Sequence, residues 1–174
     1  KIAVGGCPNM CVKPDLNDLG IVGQRVPQVD LEKCRACKVC QVVKTCPMGD
    51  AQIGPDGKIT IDESAWNHCG RCVGACPFGA VTEGLAGYKV YIGGRWGKKV
   101  AHGRALDKIF TSEDEVMDLV ERAILFFRDE GLSGERFADT VARLGFDYVQ
   151  NKLLTAPIDK EAILAKSVTG GATC

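Results

Sequence analysis

CRACKVCQVVKTCPMGD (34–50) and WNHCGRCVGACPFGA (66–80) decide how this chain is read. The first run is C-x2-C-x2-C-x5-C-P, starting at Cys34. The second follows the same template one repeat later, with Cys69, Cys72, Cys76 and Pro77. The 174 residues hold ten cysteines; the last is Cys174, and the other nine fall between residues 7 and 76. In a small secreted protein such density would mean a disulfide framework. Close C-x2-C steps followed by Cys-Pro are ligand spacing instead. They point to thiolates around iron–sulfur clusters, which imply a reducing cytoplasm. Structural zinc is the lesser alternative, with colourless protein as its signature.

Between the two runs, QIGPDGKITID (52–62) reads as a β-hairpin turned by Pro55-Asp56-Gly57. Two such halves joined by a hairpin resemble a bacterial two-cluster ferredoxin domain. The resemblance implies crossed ligation, in which three cysteines of one run and the fourth of the other hold each cubane. Cys34, Cys37 and Cys40 would then hold the first 4Fe-4S cluster together with Cys76. Cys46, Cys69 and Cys72 would serve a second. That second set departs from the pattern, because Trp66 occupies its first ligand position and Cys46 comes two residues later than the usual x3 spacing. Three thiolates can hold a three-iron cluster, or a four-iron cluster with a fourth ligand from elsewhere, such as His68, water or Cys174. They can equally be relics of a lost site. The plain reading of His68 is a partly exposed loop histidine, and of Trp66 a hydrophobic plug.

The chain opens KIAVGGCPNMCVKP, where Cys7 and Cys11 are spaced C-x3-C and stand outside the ferredoxin template. The stretch GGCPNMCVKPDLNDLGIVG (5–23) closely resembles the cofactor signature of the sirohaem sulfite and nitrite reductase family. The match covers Gly-Cys-Pro-Asn-x-Cys and then Asp18, Gly20, Ile21 and Gly23. The resemblance implies that Cys7 and Cys11 supply two ligands of a four-iron cluster, with Cys11 also bridging to the sirohaem iron. GYKVYIGGRWGKKVAHGRAL (87–106) and GERFADTVARLGFDYVQ (134–150) are similar to the anaerobic sulfite reductase catalytic-subunit type. That family carries a second cysteine pair, usually C-x5-C, upstream of C-x3-C, and an upstream half with basic residues for the sirohaem carboxylates and the substrate anion. Residue 1 lies only six positions before Cys7. The expectation is therefore an incomplete site, with Cys7 and Cys11 free thiols and no sulfite reduction by this chain alone. No catalytic side chain is assigned within it.

The fold expected is α+β: a partial sirohaem-domain α/β segment interrupted by a bacterial two-cluster ferredoxin-like insertion. The divisions are 1–29 for the sirohaem-motif segment, 30–84 for the ferredoxin-like domain and 85–174 for the C-terminal α/β part. In the last part, 87–94 alternates like a strand. TSEDEVMDLVERAILFFRDEGLSG (111–134) reads as a long helix with a Ser112/Glu115 capping box and an acidic first turn. Its apolar face is Val116, Leu119, Val120, Ala123, Ile124 and Phe127, and Gly131 stops it. A second helix over about 134–144 buries Phe137, Val141 and Leu144; GFDYVQNKLL (145–154) forms a third, and the tail SVTGGATC frays.

Lys plus Arg equals Asp plus Glu, 22 each, so no global field recruits nucleic acid or an anionic membrane. No apolar run approaches the roughly 18 residues of a membrane span, and no signal peptide opens the chain. The basic loop Arg95, Lys98, Lys99, His102 and Arg104 suits cofactor carboxylates or an acidic donor, and equally a solvated loop. The leading function is the C-terminal part of a sirohaem- and 4Fe-4S-dependent sulfite reductase, in which six electrons convert sulfite to sulfide. Its partners would be an electron-donor protein or subunit and the N-terminal half or partner chain. Nitrite reduction is the close alternative; a stand-alone iron–sulfur carrier is the non-catalytic one.

Overall fold

The computed structural model describes residues 1–9, 11–62, 67–155 and 157. Trp66, Cys174 and the tail SVTGGATC lie outside them. The chain forms a mixed α+β structure of two compact units.

Unit 1 comprises Lys1–Val4, Val12–Ile21 and the chain from Lys89 onward. Its sheet has the order β1 (Ile2–Gly5), β2 (Leu19–Val29), β5 (Val81–Ile92), β6 (Arg104–Phe110). The two long strands, β2 and β5, continue into unit 2. Val90, Ile92, Leu106 and Phe110 alternate to the buried face, as a half-covered strand requires.

The helices α2 (Glu113–Glu130), α3 (Phe137–Leu144) and α4 (Phe146–Thr155) follow. Of the expected α2 stripe, Val116, Leu119, Val120 and Ala123 are buried. Ile124 is not: it is 50% exposed and borders a surface hollow with Leu19, Phe127 and Phe137. Phe127 and Phe137 meet edge to face at 5.7 Å, joining α2 to α3. Gly131 does end α2, but with φ −73 rather than a left-handed cap; a side chain there would run into Phe127.

The α2 N-terminus is built as the sequence implies. Ser112 Oγ accepts from Glu115 N–H at 3.2 Å, and the Glu115 carboxylate accepts from Thr111 N–H at 2.9 Å. The Lys108 ammonium and the Thr111 amide beside it hold the Glu115 carboxyl down to about 2, from an ordinary 4.5. A folded-state pKa below the unfolded one gives stability that is present at neutral pH and lost as pH falls from about 4.5 toward about 2. Glu115→Gln is expected to flatten that part of an acid titration of the melting temperature; an unchanged profile would count against the cap.

Unit 2 comprises Gly5–Cys11 and Val22–Tyr88, so the whole cysteine-rich zone falls in it. The hairpin read from Pro55-Asp56-Gly57 is present: β3 (Ala51–Ile53) pairs antiparallel with β4 (Ile59–Ile61), Gln52 opposite Thr60. A one-turn helix, α1 (Gln41–Thr45), packs Val42 onto this hairpin. A small buried cluster gathers Val42, Ala51, Ile59, Cys72 and Val81. Cysteines Cys34, Cys40, Cys46 and Cys76 pack against it, so the sulfur groups form part of the module's interior.

Candidate metal centres

Both cysteine runs bend twice at equivalent places. Ala36 (φ 47) and His68 (φ 57) sit in the left-handed region, each one residue before Cys37 and Cys69. Gly49 (φ 78) and Gly79 (φ 71) do so three residues after Cys46 and Cys76. Left-handed backbone is costly for alanine and histidine and tends to persist where function needs it. The sequence repeat is thus also a backbone repeat, and in both halves it curls the chain around sulfur.

Helix α1 accounts for the long x5 spacing. Cys40 is its N-cap and Cys46 its C-cap, and Cys46 N–H donates to Val42 O at 3.1 Å. Cys40 and Cys46, at the two ends of this turn, line different hollows. Cys34, Cys37, Cys40 and Cys76 line one, beside Val42, Ile59 and Phe78. Cys46, Cys69 and Cys72 line the other, with Asp50, Asn67 and Arg71. Each hollow therefore draws cysteines from both runs.

The electrostatics suit a cationic metal core. Burial raises the Cys46 thiol pKa, but the amides of Ala51, Met48, Asp50 and Gly49 turn toward its sulfur and outweigh that, leaving it below its ordinary value. Burial pushes the Cys72 thiol up, and the nearby Cys69 and Cys46 sulfurs push it further. Three close sulfurs cannot all ionise comfortably without a cation between them. Among the described residues, no three His, Cys, Asp or Glu side chains converge as ligands of a single ion. A cubane presents its irons at separate corners, so its thiolates stand farther apart than those of a lone zinc. The residues present fit iron–sulfur clusters.

His68 faces another way. Its Nδ1 lies 3.1 Å from Oε1 of the buried Gln24, and its carbonyl accepts from Arg25 N–H at 2.9 Å. These bonds tie the loop bearing Cys69 to β2. Arg25 also pairs with Glu83 at 2.8 Å.

The opening motif belongs to the same unit. Cys7 is half-buried and Cys11 exposed. Asn67 Nδ2 donates to Asn9 Oδ1 at 3.0 Å, while Asn67 Oδ1 accepts from Cys69 N–H at 3.2 Å. One asparagine thus links the C-x3-C loop to the second run. Sequence reasoning left out Asn9, Gln24, Asn67 and Asp50; of these, Asn9 was within reach, as it sits inside the quoted signature.

Gly23 packs directly on the Gly6 backbone, next to Cys7, with no room for a β-carbon. Gly23→Ala is expected to cost about 1–3 kcal/mol through overpacking and to shift Gly6 and Cys7, speeding alkylation of Cys7. A melting curve and thiol-labelling rate equal to those of the parent chain would refute this contact's role.

Most of the basic loop is engaged inside unit 1. Arg95 bonds Asp139 at 2.5 Å, His102 bonds Asp15 at 2.6 Å, and Arg104 stacks over Phe146 at 3.9 Å. Lys98 and Lys99 are exposed. Asp18 of the signature pairs with Arg136 at 2.8 Å. Burial raises its pKa, and the bond from the Arg136 guanidinium works against that, helping to hold it below its ordinary value. It works as a buried structural carboxylate.

Comparison with known proteins places the chain in a family. The chain is 33% identical over 148 residues to the coenzyme F420-dependent sulfite reductase of Methanocaldococcus jannaschii, covering 84% of this chain and 23% of that protein. It is 32% identical over 141 residues to one of the subunits of the anaerobic sulfite reductase of Salmonella typhimurium, covering 78% and 40% respectively. The chain thus spans less than half the length of these relatives. Its fold is similar to that of dissimilatory sulfite reductase I, with a TM-score of 0.59 at 22% identity, over 89% of this chain and 42% of that one. A family model described as the nitrite and sulphite reductase 4Fe-4S domain matches residues 1–160. With its signature cysteines, its paired hollows and this match in agreement, the chain belongs to the nitrite and sulphite reductase 4Fe-4S domain family.

Proposed function

We propose that this chain is the electron-relay and cofactor-flanking portion of a cytoplasmic sirohaem sulfite reductase. The observation that carries the reading is the sorting of cysteines from both runs into two hollows. In this reading residues 30–84 are a ferredoxin-like insertion. Cys34, Cys37, Cys40 and Cys76 hold a first 4Fe-4S cluster, and Cys46, Cys69 and Cys72 hold a second. Bound clusters supply one-electron chemistry, with potentials set by burial and by hydrogen bonds to sulfur. The four amides turned toward Cys46 are one such lever.

Cys7 and Cys11 would serve the cluster that adjoins sirohaem, with Cys11 as the bridging thiolate. The exposure of Cys11 leaves its sulfur open to a group held partly by other segments of the enzyme. The bond between Asn9 and Asn67 keeps that loop beside the second run. Sulfite is favoured over nitrite because the similar proteins of known name are sulfite reductases. The remaining partners are the segment bearing the upstream cysteine pair and an electron donor.

The test is visible absorption of protein made without oxygen in cells able to make sirohaem. The chain alone is expected to show broad iron–sulfur absorption. Joined to the segment carrying the upstream cysteine pair, it should add haem-like bands that change with sulfite. Colourless, zinc-bearing protein would overturn the cluster reading. Iron–sulfur absorption without haem bands in the joined protein would leave an electron carrier and overturn the catalytic reading.

A further inference from the structure

The second hollow contains a carboxylate that neither the ferredoxin template nor the sirohaem signature calls for. Asp50 lines it beside Cys46, Cys69 and Cys72, and its Oδ2 is enclosed by protein without any hydrogen-bond donor. A buried carboxylate oxygen left without a partner costs stability. Arg71 borders the same hollow but is not the donor that Oδ2 lacks. Asp50 lies four residues after Cys46, on the loop whose amides turn toward the Cys46 sulfur. Left-handed Gly49 precedes it, and its own carbonyl is fixed by Asp62 N–H at 3.0 Å. The backbone of this loop is therefore held while one carboxylate oxygen remains unsatisfied at the rim of a three-thiol site.

We propose that Asp50 is the fourth ligand of the second cluster, completing a set of three cysteines and one aspartate. This rests on the second-cluster reading above. A carboxylate oxygen is a harder and weaker ligand for cluster iron than thiolate. The iron it holds is the labile corner. On loss of one electron to ferricyanide, the oxidised four-iron cluster releases one Fe2+ and leaves a 3Fe-4S core on Cys46, Cys69 and Cys72. Charge balances: a 2+ core less one electron gives a 1+ core plus Fe2+. Adding Fe2+ and a reductant reverses the change. The second centre would thus interconvert between three and four irons, while the all-cysteine first centre resists.

The experiment uses the full chain loaded with iron and sulfide under anaerobic conditions, read by iron count, Mössbauer and low-temperature spin resonance during ferricyanide titration. The parent chain is expected to release one iron from one of two clusters and to develop a three-iron signal. Asp50→Cys should keep all its irons under the same oxidation and lose that signal. Asp50→Ala should hold a three-iron second centre from the outset and fail to take up Fe2+. The first cluster's signal reports in each variant that the module has folded. Release from Asp50→Cys as ready as from the parent, or a refillable four-iron centre in Asp50→Ala, overturns the assignment. A parent chain with one cluster in total overturns it together with the second-cluster reading, and is recognised before any variant is made.

Discussion

Cys37→Ser will yield chain lacking its first cluster, with about four irons lost and unit 2 close to unfolding at ambient temperature. Cys37 is exposed, so exchanging sulfur for oxygen removes almost no packing. What disappears is the ligand. A serine hydroxyl ionises far less readily than a thiol and cannot replace the thiolate at neutral pH. The effect on folding is large because the apolar cluster at the module's centre is small among the described residues: Val42, Ala51, Ile59, Cys72 and Val81. A core of that size rarely supplies more than about 3–5 kcal/mol, and metal binding contributes folding free energy directly. Iron analysis and a melting curve decide the matter. Full iron content together with an unchanged melting temperature would mean that Cys37 is not a ligand.

Removing iron and sulfide with a chelator and a mild oxidant should separate the two units by their behaviour. Helices α2, α3 and α4 all lie in unit 1, whose buried residues are mostly ordinary aliphatic and aromatic side chains. Among the described residues, the one-turn α1 is unit 2's only helix, and on the proposed ligand sets the unit depends on its sulfur centres. Stripped protein is therefore expected to keep nearly all its far-ultraviolet helix signal. Trypsin should then cut within the cysteine-rich zone, at Lys33, Arg35, Lys38, Lys44, Lys58 and Arg71, while sparing α2. Resistance of that zone after complete iron removal would show that the thiols need no metal for order.

What could be read from sequence was whatever a local rule specifies. Ser112 and Glu115 with their acidic neighbours placed the start of α2, and Pro55-Asp56-Gly57 placed the hairpin. The C-x2-C steps set Cys34, Cys37 and Cys40 together and Cys69 with Cys72; that Cys76 lines the first hollow and Cys46 the second follows no local rule and was implied only by the ferredoxin resemblance. The elements that escaped depend on distant partners. LGIVGQRVPQV (19–29) looks irregular because Gly20, Gly23 and Pro27 mask its apolar alternation, yet it forms the eleven-residue β2. Gly20 and Gly23 are there for close backbone approach, to Pro14 and Gly6, which no period along the chain reveals. β6 was hidden because its first residue, Arg104, closes the basic loop and Asp107 and Lys108 interrupt the apolar run. Val42 and Val43 argue against a helix by propensity, yet α1 forms where Val42 is buried against the hairpin. Asp50, following Pro47, Met48 and Gly49, reads as a turn residue. Only its enclosed oxygen beside three sulfurs marks it as more.

On the ligand sets proposed above, the sharing of thiols between runs would govern how such a module fills. The chain between Cys40 and Cys69 carries α1 and the β3–β4 hairpin, and without metal no bond joins its two ends; holding them together costs entropy that grows with the logarithm of the loop's length. Once Cys76 joins Cys34, Cys37 and Cys40 around one inorganic core, that loop is closed. Cys69 and Cys72 are then held near Cys46 at a high effective concentration. The second assembly event proceeds on a chain whose closure is already complete, and the converse order benefits equally. On that reading loading would be cooperative and half-filled chains scarce. In a cell short of iron, the population would divide into complete modules and empty, protease-sensitive ones rather than settle at a uniform partial occupancy.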